Sequence, residues 1–221
     1  MLSLAEELFL LSLREKKKNI GFSSTFALTY SLAGALMAEL ALSKKVAINS
    51  EKKVVALDIS IVDDPNAQEM LEAIQNSSKP KRLSHWIDVF GSHSKKLQNS
   101  LMDALVAKGV VKEEKKRYLW AIPYKEYSQL NASAKFGCKE RLRRVVLGGE
   151  EADERAVALL SLLYAAGLLE HIFTEDEIKA SIKQVKEIVK NEAIGQTVIE
   201  LLNDITDAAT AAAIAAASVS S

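Results

Sequence analysis

The sequence predicts a mainly α fold, a single-domain helical bundle decorated with two β-hairpins. Three observations predict it. Apolar residues recur at three- and four-residue spacing along most of the 221 residues, the period of a helix with one buried face. The period shortens only around Val46–Ile59 and Val110–Ile122, each time across a polar or charged turn. No internal repeat or long Pro/Gly-rich linker divides the chain, which has three prolines and nine glycines.

The elements follow in order. Ser3 and Glu6 have the spacing of a capping box. Leu4, Leu8 and Leu11 then give an amphipathic opening helix, which Lys16–Lys18 and Gly21 end. A longer helix runs from about Phe26 to Leu42, with Leu28, Leu32, Ala35 and Leu36 as its apolar face. Val46 and Ile48, then Val54, Val55, Leu57 and Ile59, flank the polar turn Asn49–Lys53 and form the first hairpin. Asp63, Asp64 and Pro65 punctuate the chain before a short helix through Met70, Leu71 and Ile74. A loop at Ser77–Lys81 leads to a short helix over Ser84–Phe90, stopped by Gly91. Leu97, Leu101, Ala104 and Leu105 mark the next helix, closed by Gly109. The second hairpin has Val110–Val111, a charged turn at Glu113–Arg117, and Tyr118–Ile122, with Pro123 ending its second strand. Helices over about Ser133–Leu147, Asp153–Leu169, Glu175–Lys190 and Ala193–Ala217 complete the chain. Thr174 and Glu177 form another capping box ahead of the stripe Ile178, Ile182, Val185, Val189.

Composition narrows the function classes. Basic and acidic residues balance at 29 each, which argues against coating nucleic acid by bulk charge. One cysteine, Cys138, excludes an intrachain disulfide framework and fits a reducing compartment. Ala208–Ala217 is about half of the ~20 residues a spanning helix needs, and no basic region precedes the opening leucines. The expectation is a cytosolic protein.

Catalytic signatures are missing. No phosphate-binding loop or nucleophile elbow is present. His85, His93 and His171 lack paired metal-ligand spacing. Cys138 has no histidine near it in sequence. No catalytic residue, metal or cofactor is expected. Two basic features carry more. Lys95 and Lys96 start a helix, with Gln98 three residues beyond Lys95 on the same face, and lysine beside helix-terminal N–H groups suits a phosphate. The segment Lys139–Arg144 places Arg141 and Arg144 at i,i+3, a face suited to an anionic membrane, where each basic residue contributes about 1 kcal/mol. A nucleic-acid reading rests on the second hairpin as a winged-helix-like wing, with Lys115, Lys116 and Arg117 on phosphates. Glu113 and Glu114 in the same turn count against it. A soluble binder of a small phosphorylated ligand is the other alternative.

Six segments in order resemble the Golgi phosphoprotein 3 family, including its bacterial relatives. They are LSLAEELFLLSL at Leu2–Leu13, SLAGALMAELALSKKVAI at Ser31–Ile48, HWIDVF at His85–Phe90, ALVAKGVV at Ala104–Val111, KERLRRVVLGG at Lys139–Gly149 and ALLSLLYAAGLLE at Ala158–Glu170. The resemblance spans nearly all of residues 1–221 and implies a single domain of that fold. It further implies a non-enzymatic peripheral membrane protein that binds phosphatidylinositol 4-phosphate or other anionic lipid, and leaves room for a protein client. The family's head-group pocket combines a tryptophan, an arginine nine residues later, and two arginines three apart on a later helix. The matching positions here are Ser24, Ala33, Lys95 and Gln98. The implied head-group site is therefore Lys95, Lys96 and Gln98 with Ser24 beside them, and Arg141 and Arg144 supply a membrane electrostatic patch. Lysine supplies a point charge where arginine reads geometry, so relaxed head-group specificity is expected. Eukaryotic members insert a hydrophobic hairpin where this chain has only Gly91–Ser94. The shortened form resembles a bacterial relative, and no oligomer is expected through the missing hairpin. The implied location is cytoplasmic and peripheral on a membrane, at the Golgi cytosolic face only in a eukaryote.

Overall fold

Helix α1 (Leu4–Ser12) is the centre of the structure, and all nine of its residues are buried. The molecule is a computed structural model that describes residues 1–16, 19–21, 26–118, 122–129 and 131–190. The expected helix Ala193–Ala217, and Ser24, lie outside the described residues. The capping box forms as expected, with the Ser3 N–H donating to Glu6 at 2.8 Å and the Glu6 N–H to the Ser3 hydroxyl at 3.3 Å. The amphipathic expectation is corrected. Helices α2 (Phe26–Leu42), α5 (Ser94–Ala107), α6 (Ala132–Leu147) and α7 (Glu154–Ala165) all pack on α1, so Glu6 and Glu7 are buried with its leucines. The helix also ends earlier than expected. The Ser12 hydroxyl donates to the Phe9 carbonyl at 2.7 Å, competing with the helical ladder, and Leu13 is extended. Strands β1 (Arg14–Lys16) and β2 (Asn19–Gly21) follow as an antiparallel pair that the sequence did not predict.

Helix α2 is the second central element, packed against α1, α3 (Pro65–Gln75), α4 (Leu83–Ser92) and α7. Its apolar residues are not confined to one stripe, as expected of a helix enclosed by neighbours; Leu32, Ala33, Ala35, Leu36 and Met37 are all fully buried. The first hairpin is present as β3 (Val46–Ile48) and β4 (Lys53–Ala56), with Val46 opposite Ala56. Strand β5 (Lys81–Arg82) adds to β4 where the sequence predicts loop. Strand β4 stops before Leu57 and Ile59, both of which are exposed. Helix α4 continues through Gly91, which is buried against Thr29 and Tyr30 of α2. The ~1 kcal/mol propensity penalty of a helical glycine is outweighed by that packing.

The second hairpin is longer than expected and its turn lies elsewhere. Strands β6 (Val111–Tyr118) and β7 (Ile122–Gln129) pair throughout, so the charged run Glu113–Arg117 is strand and not turn. The register sets Glu114 opposite Glu126 and Lys115 opposite Lys125, and diagonal ion pairs between the strands offset those like charges. Lys116 pairs with Glu126, and Lys125 with Glu113 at 2.9 Å. Pro123 sits inside β7 opposite Arg117, which a two-stranded sheet tolerates because both strands are edges. Helices α6, α7 and α8 (Glu175–Lys190) form as expected, with a short 3₁₀ turn at Leu169–His171 before α8. Glu177 reaches back to the Thr174 N–H at 2.9 Å.

Candidate functional site

The candidate site is the junction of α4 and α5. His93 alone separates the two helices. Its Nδ1 lies 2.9 Å from the Val89 carbonyl, closing the end of α4, and no side chain caps the start of α5. Leu97, Leu101, Met102 and Leu105 bury one face of α5. That anchoring fixes where the polar side chains of the first turn point. Lys95 is exposed and has no acidic partner among the described residues. Gln98 is half-buried one turn further on. Lys96 reaches across to Glu69 on α3 at 2.7 Å. Both of these side chains are more than half exposed (68% and 55%), so the pair is worth little and yields readily to a competing anion. Beneath them lies a cavity of about 230 Å³ between α3, α4 and α5. Ala73, Val89, Phe90 and Leu97 line its apolar side; Glu69, His93 and Lys96 are among its polar groups. The arrangement offers one unpaired cation, one exchangeable cation and an amide.

The two arginines of the α6 segment do not form one patch. Arg141 turns inward and donates to Glu7 at 2.8 Å. Arg144 stays exposed and pairs with Glu150 at 2.9 Å. Their neighbour Arg143 clasps Glu177 through two nitrogens, at 2.7 and 2.8 Å, and also donates to the Ile172 carbonyl. The clasp holds the Glu177 carboxyl at about 2, chiefly through the hydrogen bonds from Arg143 and then that from the Thr174 N–H. Lys135 donates to the Leu13 carbonyl. Cys138 is buried in the same helix, and burial pushes its thiol up to about 11, with the Glu7 charge adding to the effect.

Sequence reasoning missed a polar network around the start of α1. Glu39 accepts the Leu4 N–H at 2.6 Å and an Arg155 N–H at 3.1 Å. Arg155 also donates to the Leu2 carbonyl at 2.7 Å, and Lys108 closes on Glu6 at 2.6 Å. Burial raises the Glu7 carboxyl despite the opposing charges of Arg141 and Arg155. One signal was available. Glu39 is the sole charged residue of the apolar run Phe26–Leu42, and a lone charge inside such a run needs a partner. Ala33, the position matched to a pocket arginine, is fully buried in this core. Among the described residues, no group of three or more His, Cys, Asp or Glu side chains is placed to hold a metal ion. Nor is any described helix long and apolar enough to cross a membrane.

Comparison with known proteins bears on this geometry. The Golgi phosphoprotein 3 family matches residues 4–217. Vacuolar protein sorting-associated protein 74 of Schizosaccharomyces pombe is 28% identical over an alignment covering 77% of this chain. The same alignment covers 60% of that protein, so the chain matches less than two thirds of its relative's length. This chain belongs to the Golgi phosphoprotein 3 family.

Proposed function

With family membership as the premise, we propose that this protein is a non-enzymatic peripheral membrane protein that binds anionic lipid head groups, phosphatidylinositol 4-phosphate among them, through the first turn of α5. The observation that carries the reading is Lys95, exposed and without an acidic partner among the described residues, whereas the arginines of α6 are paired. A phosphate here meets the Lys95 charge and the uncapped N-terminal end of a 14-residue helix. Lys96 joins when the phosphate displaces Glu69, and Gln98 donates an amide hydrogen bond. Arg144 is the exposed member of the α6 pair and contributes general attraction. A single lysine supplies charge without a guanidinium's fixed fork, so the protein prefers the phosphoinositide over phosphatidylserine by no more than a few-fold at matched surface charge.

Of the residues on which the nucleic-acid alternative rests, Lys116 already faces Glu126 within its own hairpin, whereas Lys115 is exposed. Flotation with anionic and neutral vesicles tests the proposal. Anionic vesicles are expected to bind better at low salt, with the difference shrinking as salt screens the contact. Equal binding to both overturns it.

A further inference from the structure

Loops are ordinarily polar and lie on the surface. The loop following β4 breaks that rule. Within five residues it carries Leu57, Ile59 and Ile61, exposed to 62%, 56% and 86%. Alternation with Asp58 and Ser60 explains how the chain holds them outward. The Lys45 carbonyl accepts the N–H groups of Leu57 at 2.8 Å and Asp58 at 3.3 Å. The Lys45 ammonium donates to Asp58 at 2.6 Å and to the Ser60 hydroxyl. Asp58 in turn accepts the Ser60 N–H at 2.8 Å, and the Val62 N–H donates to Gln68 on α3 at 3.1 Å. The polar residues therefore turn in toward a lysine that is itself only 11% exposed. The three aliphatic side chains are left in water, where their apolar surface is disfavoured.

The charge around this loop identifies what covers it. The protein as a whole is neutral, yet residues 44–64 and 77–82 hold seven basic side chains against four acids. Glu51 pairs with Lys53 and Asp58 with Lys45, each at 2.6 Å, Asp64 is buried as the cap of α3, and Asp63 is exposed. Lys44, Lys79, Lys81 and Arg82 are exposed and have no acidic partner among the described residues. Strand pairing sets Arg82 opposite Lys53 and Lys81 opposite Val54, on the sheet from which the loop leaves. Protein interfaces are depleted in lysine and enriched in aromatic residues. Exposed aliphatic side chains on a loop that leaves a basic sheet are what an anionic bilayer surface takes up, its acyl boundary burying the first and its head groups pairing with the second.

We propose that the Leu57–Ile61 loop is a membrane-insertion element, seated in an anionic lipid surface by the basic β3–β4–β5 sheet. The inference rests on the membrane-binding reading above but assigns the anchoring to different residues. Three proteins serve as the test on phosphatidylcholine vesicles with and without phosphatidylserine: the unmodified chain, the combined Leu57→Ser, Ile59→Ser and Ile61→Ser variant, and an Ile59→Trp variant. The exposed serines should leave the thermal midpoint in place and lower partition into anionic vesicles roughly tenfold. Lipids brominated in the upper acyl chain should quench the fluorescence of the introduced tryptophan beyond the unmodified baseline. If the unmodified chain binds and the serine variant binds equally well, the insertion element is overturned while the membrane reading stands. If the unmodified chain binds no vesicle, both fall. A serine variant that changes oligomeric state and leaves vesicle binding intact makes the loop a contact between copies, which also overturns the proposal.

Discussion

The two basic segments of the chain, the start of α5 and the middle of α6, look alike in sequence and meet opposite fates. In α6, Arg141 finds buried Glu7 and Arg143 finds Glu177, so two of three arginines act as ties between elements. In α5, no described acid approaches Lys95, and Lys96 has only a well-solvated Glu69. The difference lies in the elements packed nearby. Helix α6 rests on α1 and α8, which present carboxylates to it; the first turn of α5 faces solvent and α3. A positive charge available to a ligand is one that the fold has not already neutralised.

Exchanging the two roles gives the largest expected effect. Arg141→Ala leaves the Glu7 carboxyl buried without its nearest hydrogen-bond donor and should destabilise the protein by about 2 kcal/mol. The measurement is a lower urea midpoint at unchanged slope, with vesicle binding at low temperature unaltered. Lys95→Ala should do the reverse. Its stability should stay within about 0.5 kcal/mol of the original, while affinity for anionic vesicles drops about fivefold, the equivalent of about 1 kcal/mol for one cation at a charged surface. Comparable losses of vesicle binding in both variants would erase the distinction between the segments.

A smaller effect sharpens the comparison on the α5 side. Gln98→Arg places a forked guanidinium one turn from Lys95 on a half-buried, partly solvated face. It should raise the preference for phosphatidylinositol 4-phosphate over phosphatidylserine by a few-fold in a competition assay. Ala33→Arg offers no such route, since Ala33 is enclosed by the core. An unchanged preference in Gln98→Arg would place head-group recognition elsewhere.

The smallest effect concerns pH and contrasts two carboxylates that meet α6. The Glu7 carboxyl is raised by burial. Its contribution to stability is therefore complete below the unfolded value, 4.5, and declines as pH climbs to the folded value. The stability of Glu7→Gln relative to the unmodified protein should accordingly increase with pH above 4.5 and then level off. Glu177 has the opposite sign. Its contribution is present above 4.5 and is lost as pH falls toward about 2. A Glu7→Gln difference that does not vary with pH would show that the folded environment leaves Glu7 unperturbed.

Helix periods, capping boxes and the existence of two hairpins are local matters, and the sequence by itself determined them. Ser3 with Glu6 needs only one turn of chain to form its two hydrogen bonds. The stripe Ile178–Val189 needs only a 3.6-residue period. Lys95 and Gln98 share a helix face for the same reason. Tertiary structure decided whatever depends on a distant partner. The charged run Glu113–Arg117 became strand because it pairs with Pro123–Tyr127, where Lys116 and Lys125 reach acids only diagonally across the ladder, a register that one strand's sequence does not encode. Helix α1 is fully enclosed because four helices pack on it, and that enclosure turned Glu6 and Glu7 from end-of-helix charges into the centre of an ion-pair network. Arg141 points inward because Glu7, 134 positions away, waits there. Charge type is written in each residue, but its availability depends on Coulomb interactions and desolvation that act through space, and only the fold sets those distances.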